Sequence, residues 1–235
     1  MDLPGWQARR TQLHPKGVEI VTVALDTAGP DAARSWVEAA NPEHPSLIDE
    51  AHVLDELLGI VNVPNSVWID EDGVIVRPAE AAFTGLAGGF DLESFELPEG
   101  LPPVFAETLA EAKKIRHDAA RYSAALDDWA EHGADSRFAL SPSEVVARSG
   151  SRGAERSSAA AHFELAQHFW RLGDQDAAWP HFREARRLQP DNWTYKRQAW
   201  QFADPFQGRT EVLEGSWLDD IKAIGAENYY PPMVD

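Results

Sequence analysis

Eight histidines, 39 acidic side chains and no cysteine define the chemistry open to this 235-residue chain. Without cysteine there is no thiolate nucleophile, CxxC redox pair, zinc–thiolate centre or disulfide. A metal would have to be held by imidazole and carboxylate alone. His162 and His168 lie six residues apart on a helical stretch, which puts them on different faces rather than at the i, i+4 spacing of a helical chelate. His181 reads as a surface residue, so neither a metal site nor a cofactor is expected. Asp26, Glu50, Asp55 and Glu56 offer carboxylates for acid–base work. No nucleophile or phosphate-cradling loop accompanies them, since Gly85 to Gly89 (GLAGG) matches neither the dinucleotide nor the Walker pattern. They read as solvated charges. Asp70-Glu71-Asp72-Gly73 lacks the alternating ligands of a calcium loop and reads as a hairpin turn.

The charge balance narrows the partners. Lys and Arg number 21, giving a net charge of −18, and such a surface repels phosphate backbones and anionic membranes. Nucleic acid is excluded as a partner. No apolar stretch approaches the ~20 residues of a membrane helix and no export signal opens the chain, so the chain as written is expected in the cytoplasm, without a membrane contact. Five basic and 19 acidic residues precede residue 110, whereas 16 and 20 follow it. The acidity therefore belongs to the N-terminal part.

The elements that must position these residues change grammar at the same place. Before it, β-branched runs alternate with short helical patterns. A helix over Leu3–Leu13 is closed by Pro15-Lys16-Gly17, and Val18–Leu25 reads as a buried strand. Helices are predicted over Asp31–Ala40 and Ala51–Leu58, with an extended piece over Pro45–Ile48. Strands over Ser66–Asp70 and Val74–Arg77 are joined by the Asp-Gly turn. After a Gly/Pro-rich boundary at Gly85–Pro103 the chain reads as helical: one long helix from Val104 to about His132, roughly 40 Å at 1.5 Å per residue, a mobile stretch over Ser149–Ser158, and helices over Ala159–Leu172, Asp176–Leu188 and Trp193–Ala203. The expected architecture is an α/β domain over residues 1–100 and a helical domain over 101–235.

Val63-Pro64-Asn65-Ser66-Val67-Trp68-Ile69-Asp70, followed by Glu71-Asp72-Gly73 and Ile75-Val76, resembles the thioredoxin-like superfamily, in particular the TlpA/ResA-type thiol-disulfide oxidoreductases and related redoxins. Leu3-Pro4, Gly17 to Val21 and Ala24-Leu25-Asp26 look like that family's first helix and second strand. The resemblance implies a thioredoxin-like mixed sheet, a cis Val63–Pro64 bond, and a binding loop of Val63, Pro64, Asn65 and Ser66 whose backbone at Val63 offers an edge to an extended peptide. The alternative for Pro64 is a turn with a purely structural role. The family's first strand and CxxC motif would precede Met1, so the sheet is expected to be incomplete at the N-terminus. That missing strand would lie between Val18–Leu25 and Ser66–Asp70, and each buried backbone group left unpaired costs about 1–3 kcal/mol.

Residues 159–192 resemble one tetratricopeptide repeat, with Leu165, Ala166, Phe169, Gly173, Ala178, Phe182, Ala185 and Pro190 at the family's spacings. A single copy implies a helical pair packed as a satellite rather than a solenoid. Nine tryptophans and one basic cluster, Arg183, Arg186, Arg187, Lys196 and Arg197, complete the candidates. The expected reading packs the tryptophans between the sheet and the helical satellite and docks the basic cluster on the acidic N-terminal half; the alternative is an interaction surface, which would use Trp6, Trp68, Arg183 and Arg187.

The expected function is that of a redox-inactive, thioredoxin-like binding or assembly module with a protein or peptide partner, its sheet completed by dimerisation or by that partner. The alternative is a TlpA-type oxidoreductase whose CxxC lies upstream of Met1, and the compartment would then be extracytoplasmic.

Overall fold

Pro4, preset for a helix's first turn, opens α1 (Leu3–Leu13), and a 3₁₀ turn at His14–Lys16 closes it on Gly17 at φ 91, a left-handed conformation that suits glycine. The computed structural model describes residues 3–85 and 95–234, so the expected boundary at 85–103 falls partly outside the described residues. The order that follows is β1 (Thr22–Leu25), α2 (Pro30–Ala40), β2 (Ser46–Asp49), α3 (Val53–Leu58), β3 (Asn65–Ile69) and β4 (Ile75–Ala81). Helices α4 (Pro103–Ala112), α5 (Ala119–His132), α6 (Pro142–Ser149), α7 (Ala154–Arg171), α8 (Gln175–Leu188), α9 (Trp193–Ala203) and α10 (Trp217–Ile224) complete the chain. The class is mixed α/β.

β1 and β2 pair in parallel across the crossover helix α2, and β3 and β4 form an antiparallel hairpin. Asp70 shapes its turn by accepting the N–H groups of Asp72 and Val74, leaving Gly73 at φ 78. The expected single mixed sheet is instead two two-stranded sheets, and among the described residues β1 and β3 are not hydrogen-bonded to each other. β1 is also shorter than its apolar run. Val18 and Ile20 turn into the core, and pairing begins only where the Thr22 N–H meets the Pro45 carbonyl.

The long helix expected over 104–132 is broken at residues 113–118. Asp118 caps α5 by accepting the Arg121 N–H, and His117 stacks on Phe83 at 4.3 Å. The break has a packing reason: Ile115 packs on one core while Tyr122, Ala125 and Leu126 belong to another. One straight helix could not serve both. The stretch at 149–158 is likewise more ordered than its composition suggests, because α6 begins with a Ser141–Glu144 capping box and runs to Ser149, and α7 begins at Ala154.

The first core joins Leu13, Ile20, Trp68, Val76 and Ala82 to Tyr122, Leu126 and Phe138, so residues 119–138 fill the α/β layer rather than the helical one. Arg9, buried on α1, reaches Asp127 on α5 at 2.7 Å. The second core is built by α7 to α10. Ala166, Ala178 and Ala185 are fully buried in it, where small side chains let helices approach closely, and Phe163, Phe182, Trp193 and Trp200 fill the space around them. The basic cluster does not dock on the acidic N-terminal part as expected. Arg186 and Lys196 pair with Asp220 of α10 at 2.8 and 2.9 Å, Arg183 donates to the Val212 carbonyl, and Arg187 pairs with Glu184. Among the described residues no helix is long and apolar enough to cross a membrane.

Candidate functional site

The loop expected to bind is held from three sides. Asn62, buried at its start, accepts the Val63 N–H through Oδ1 and donates through Nδ2 to the Tyr229 carbonyl. The Val63–Pro64 bond is cis. The Pro64 carbonyl accepts the Ala82 N–H, and Ser66 meets Tyr122 at 2.7 Å. The Trp68 indole, which can only donate, also reaches Tyr122 Oη at 3.1 Å, so the tyrosine hydrogen is left for Ser66 Oγ. Burial pushes the Tyr122 phenol above its ordinary range, and it stays protonated in this role.

Val63 does not offer a free edge. Its N–H is taken by Asn62, and its carbonyl accepts the Tyr230 hydroxyl at 2.8 Å. Burial holds that phenol well above its ordinary range, so it remains a donor. The occupant is the chain's own C-terminal segment, which local sequence signals could not place, because Val63 and Tyr230 are 167 positions apart.

Trp68 is no exposed contact surface either. It is 3% exposed, stacks on Trp129 at 5.0 Å and lies under the Arg77 guanidinium, while Trp6 meets the edge of Tyr122. Trp68, on β3, and Trp6, on α1, both pack against α5, so each is a packing residue, although the helix they meet is α5 and not the 159–192 pair of the expected packing. Arg183 and Arg187 are exposed on α8, remote in sequence from the loop and engaged as described above.

The larger surprise is Asp55. Read from sequence as a solvated charge, it is 2% exposed at the seam between the α/β layer and the helices. His52 Nδ1 lies 3.0 Å from its Oδ2, which also accepts the Thr194 hydroxyl at 2.9 Å. His52 Nε2 faces Gln198 Oε1, which accepts the Thr27 N–H, and Thr27 Oγ1 in turn accepts from Gln167. Phe163 meets the His52 ring edge-on at 5.1 Å. A His-x-x-Asp spacing at the start of a short helix was the one local hint, and without the α9 partners it carries no specificity. The other carboxylates are surface groups: Asp26 accepts the Ala28 N–H, Glu50 is exposed, and Glu56 pairs with Arg152.

His181, read as a lone surface residue, faces His162 across the α7–α8 pair with Nδ1 atoms 2.8 Å apart, and stacks on Phe169. A hydrogen bond there requires a proton on one ring and a lone pair on the other. Burial, and then the neighbouring His162, lower the His181 pKa from its ordinary 6.5. The unfolded chain therefore takes up the proton first as pH falls, and the stability this pair contributes is present above about pH 6.5 and lost below it. The melting temperature should fall as buffer pH is taken from 8 to about 5, and less so in His181→Phe, which keeps the stacking and loses the titration. Equal slopes for the two proteins would refute this. Among the described residues no three His, Asp or Glu side chains converge in a group that could hold a metal ion.

No family model matches this chain, and no curated protein or solved structure matches it.

Proposed function

We propose that the chain is a redox-inactive, thioredoxin-like binding or assembly module whose sheet is completed by a strand from a second polypeptide. The order supports the fold reading: a parallel β1–α2–β2 unit, then α3, a cis-proline loop and an antiparallel hairpin. The observation that carries the functional reading is the split sheet, in which β1 and β3 each have one hydrogen-bonded neighbour among the described residues. Val21, just before β1, and Ile69 at the end of β3 are each 53% exposed. Short apolar strands with open edges recruit a further strand or template aggregation. Because the backbone at Val63 is engaged by the chain itself, the incoming strand is assigned to the β1 and β3 edges rather than to the cis-proline loop. The absence of any thiolate removes disulfide exchange from the chain as given.

Sedimentation velocity over the micromolar range, with amide exchange on the same samples, tests the reading. A dimer in which residues 18–25 and 65–69 are protected from exchange is the expected result. A monomer at every concentration, with the outward amides of β1 and β3 protected all the same, would show that this chain satisfies its own edges and would overturn it.

A further inference from the structure

A cavity of about 220 Å³ opens where α3, the β3–β4 hairpin, the segment at 149–152 and α9 meet. It is distinct from the open strand edges and from the cis-proline loop. Its volume lies below the ~300 Å³ at which pockets for drug-sized ligands begin, so its occupant must be small. One wall is apolar, formed by Leu57, Val67, Ile75 and Pro78. The polar groups of the lining decide which sign of charge it accepts.

Both carboxylates of the lining are already committed. The Asp55 side chain is 0% exposed: Oδ2 is engaged by His52 and Thr194, and Oδ1 is sealed away from anything in the cavity. Glu56 is held by Arg152 at 2.6 Å. Arg156 is the charge with the weakest partner. Its contact with Asp191 is 3.4 Å long between two half-exposed side chains, a pair of little worth that an incoming anion displaces at small cost. Arg152 precedes the first turn of α7 and Arg156 lies within it, where Gly153 supplies no side-chain cap and the helix end carries partial positive charge.

Tyr195 supplies an independent observation. It is 5% exposed, stacks its ring on Phe163 at 4.0 Å and lines the cavity. Its hydroxyl makes no hydrogen bond among the described residues, yet unlike Asp55 Oδ1 it is not sealed from solvent. Burial, and then the charges of Asp55 and Glu56, hold this phenol far above its ordinary range, so it stays protonated and can donate. A hydroxyl in so buried a residue costs free energy until an acceptor is supplied. The cavity therefore offers an unfilled donor and a loosely held guanidinium beside a hydrocarbon wall.

We propose that this cavity binds a short-chain monocarboxylate with an apolar tail. The ligand carboxylate accepts from the Tyr195 hydroxyl and pairs with Arg156, and its hydrocarbon lies against the hairpin wall. Arg152 stays with Glu56. An inorganic anion would satisfy the donors and leave the wall uncovered, whereas an amine of the same shape would meet guanidinium groups and no free acceptor.

Isothermal titration of the full-length chain with isovalerate tests this, with isopentylamine and inorganic phosphate as the comparison ligands. Saturable one-site binding of isovalerate is expected, with the amine and phosphate each at least about tenfold weaker. Tyr195→Phe keeps the ring on Phe163 and removes only the donor, and Arg156→Ala alters a half-exposed position. Each should weaken isovalerate about tenfold, the scale of one hydrogen bond to a charged group. Absence of saturable isovalerate binding, affinity unchanged in either variant, or phosphate or isopentylamine binding as tightly as isovalerate would each overturn the proposal.

Discussion

Replacing Arg77 with alanine should cost about 3–5 kcal/mol of stability, the range found when one partner of a buried ion pair is removed. Arg77 is 1% exposed on β4 and ties three parts of the chain together. It is bidentate to Glu80, donates to the Phe138 carbonyl at 3.1 Å and to the carbonyl of Val234, and lies over the Trp68 ring. Truncation leaves the Glu80 carboxylate and the Phe138 carbonyl without their donor, removes one of the two donors to the Val234 carbonyl, Arg148 being the other, and opens a void against Trp68. The cost should depend on which partner remains. Arg77→Met fills the space and still strands Glu80, whereas Arg77→Met combined with Glu80→Gln removes both charges and should recover a substantial part of the loss. Urea denaturation of the three variants measures this. An Arg77→Ala midpoint equal to that of the unaltered chain would show that the guanidinium contributes nothing net.

Phe163→Ala should be of similar size, about 3–5 kcal/mol by the usual cost of truncating a buried phenylalanine. The ring stacks on Tyr195 at 4.0 Å, meets Phe182, and covers the edge of His52 at the seam. It therefore belongs both to the helical core and to the wall that keeps water from the His52–Asp55 pair. Phe163→Leu, which retains most of the volume, should cost less than half as much. Beyond the loss in denaturation midpoint, the alanine variant should move the His52 ring resonances in an NMR spectrum, because the aromatic face against them is gone. A full stability loss with unmoved His52 resonances would show that Phe163 serves the helical core alone.

Much of the local structure was legible in the sequence because it rests on interactions between near neighbours. Apolar periodicity and caps located α1, α2, α8 and α9 to within a few residues, and the Asp70–Gly73 turn is made by one aspartate accepting from N–H groups two and four positions on. The small residues of the 159–192 pair announced close helix packing, and Ala166, Ala178 and Ala185 are fully buried as that requires. The missing thiol chemistry is a property of composition. The candidate site was legible only as a stretch of chain: the sequence named Val63 to Ser66, but not that Tyr230 occupies the Val63 carbonyl.

Tertiary structure alone decided the rest. The 104–132 periodicity is continuous in sequence, and its break became necessary because Ile115 and Leu126 serve different cores. His162 and His181 are unremarkable on their own helices and become a hydrogen-bonded pair only when α7 and α8 meet. Asp55 looked like any exposed carboxylate, since the residue that buries it with a hydrogen bond, Thr194, is 139 positions away. The physical reason is common to all three. Helix periods, caps and turns are set by contacts within a few residues, whereas the burial of a charge and the partner that compensates it depend on which surfaces the whole chain brings together.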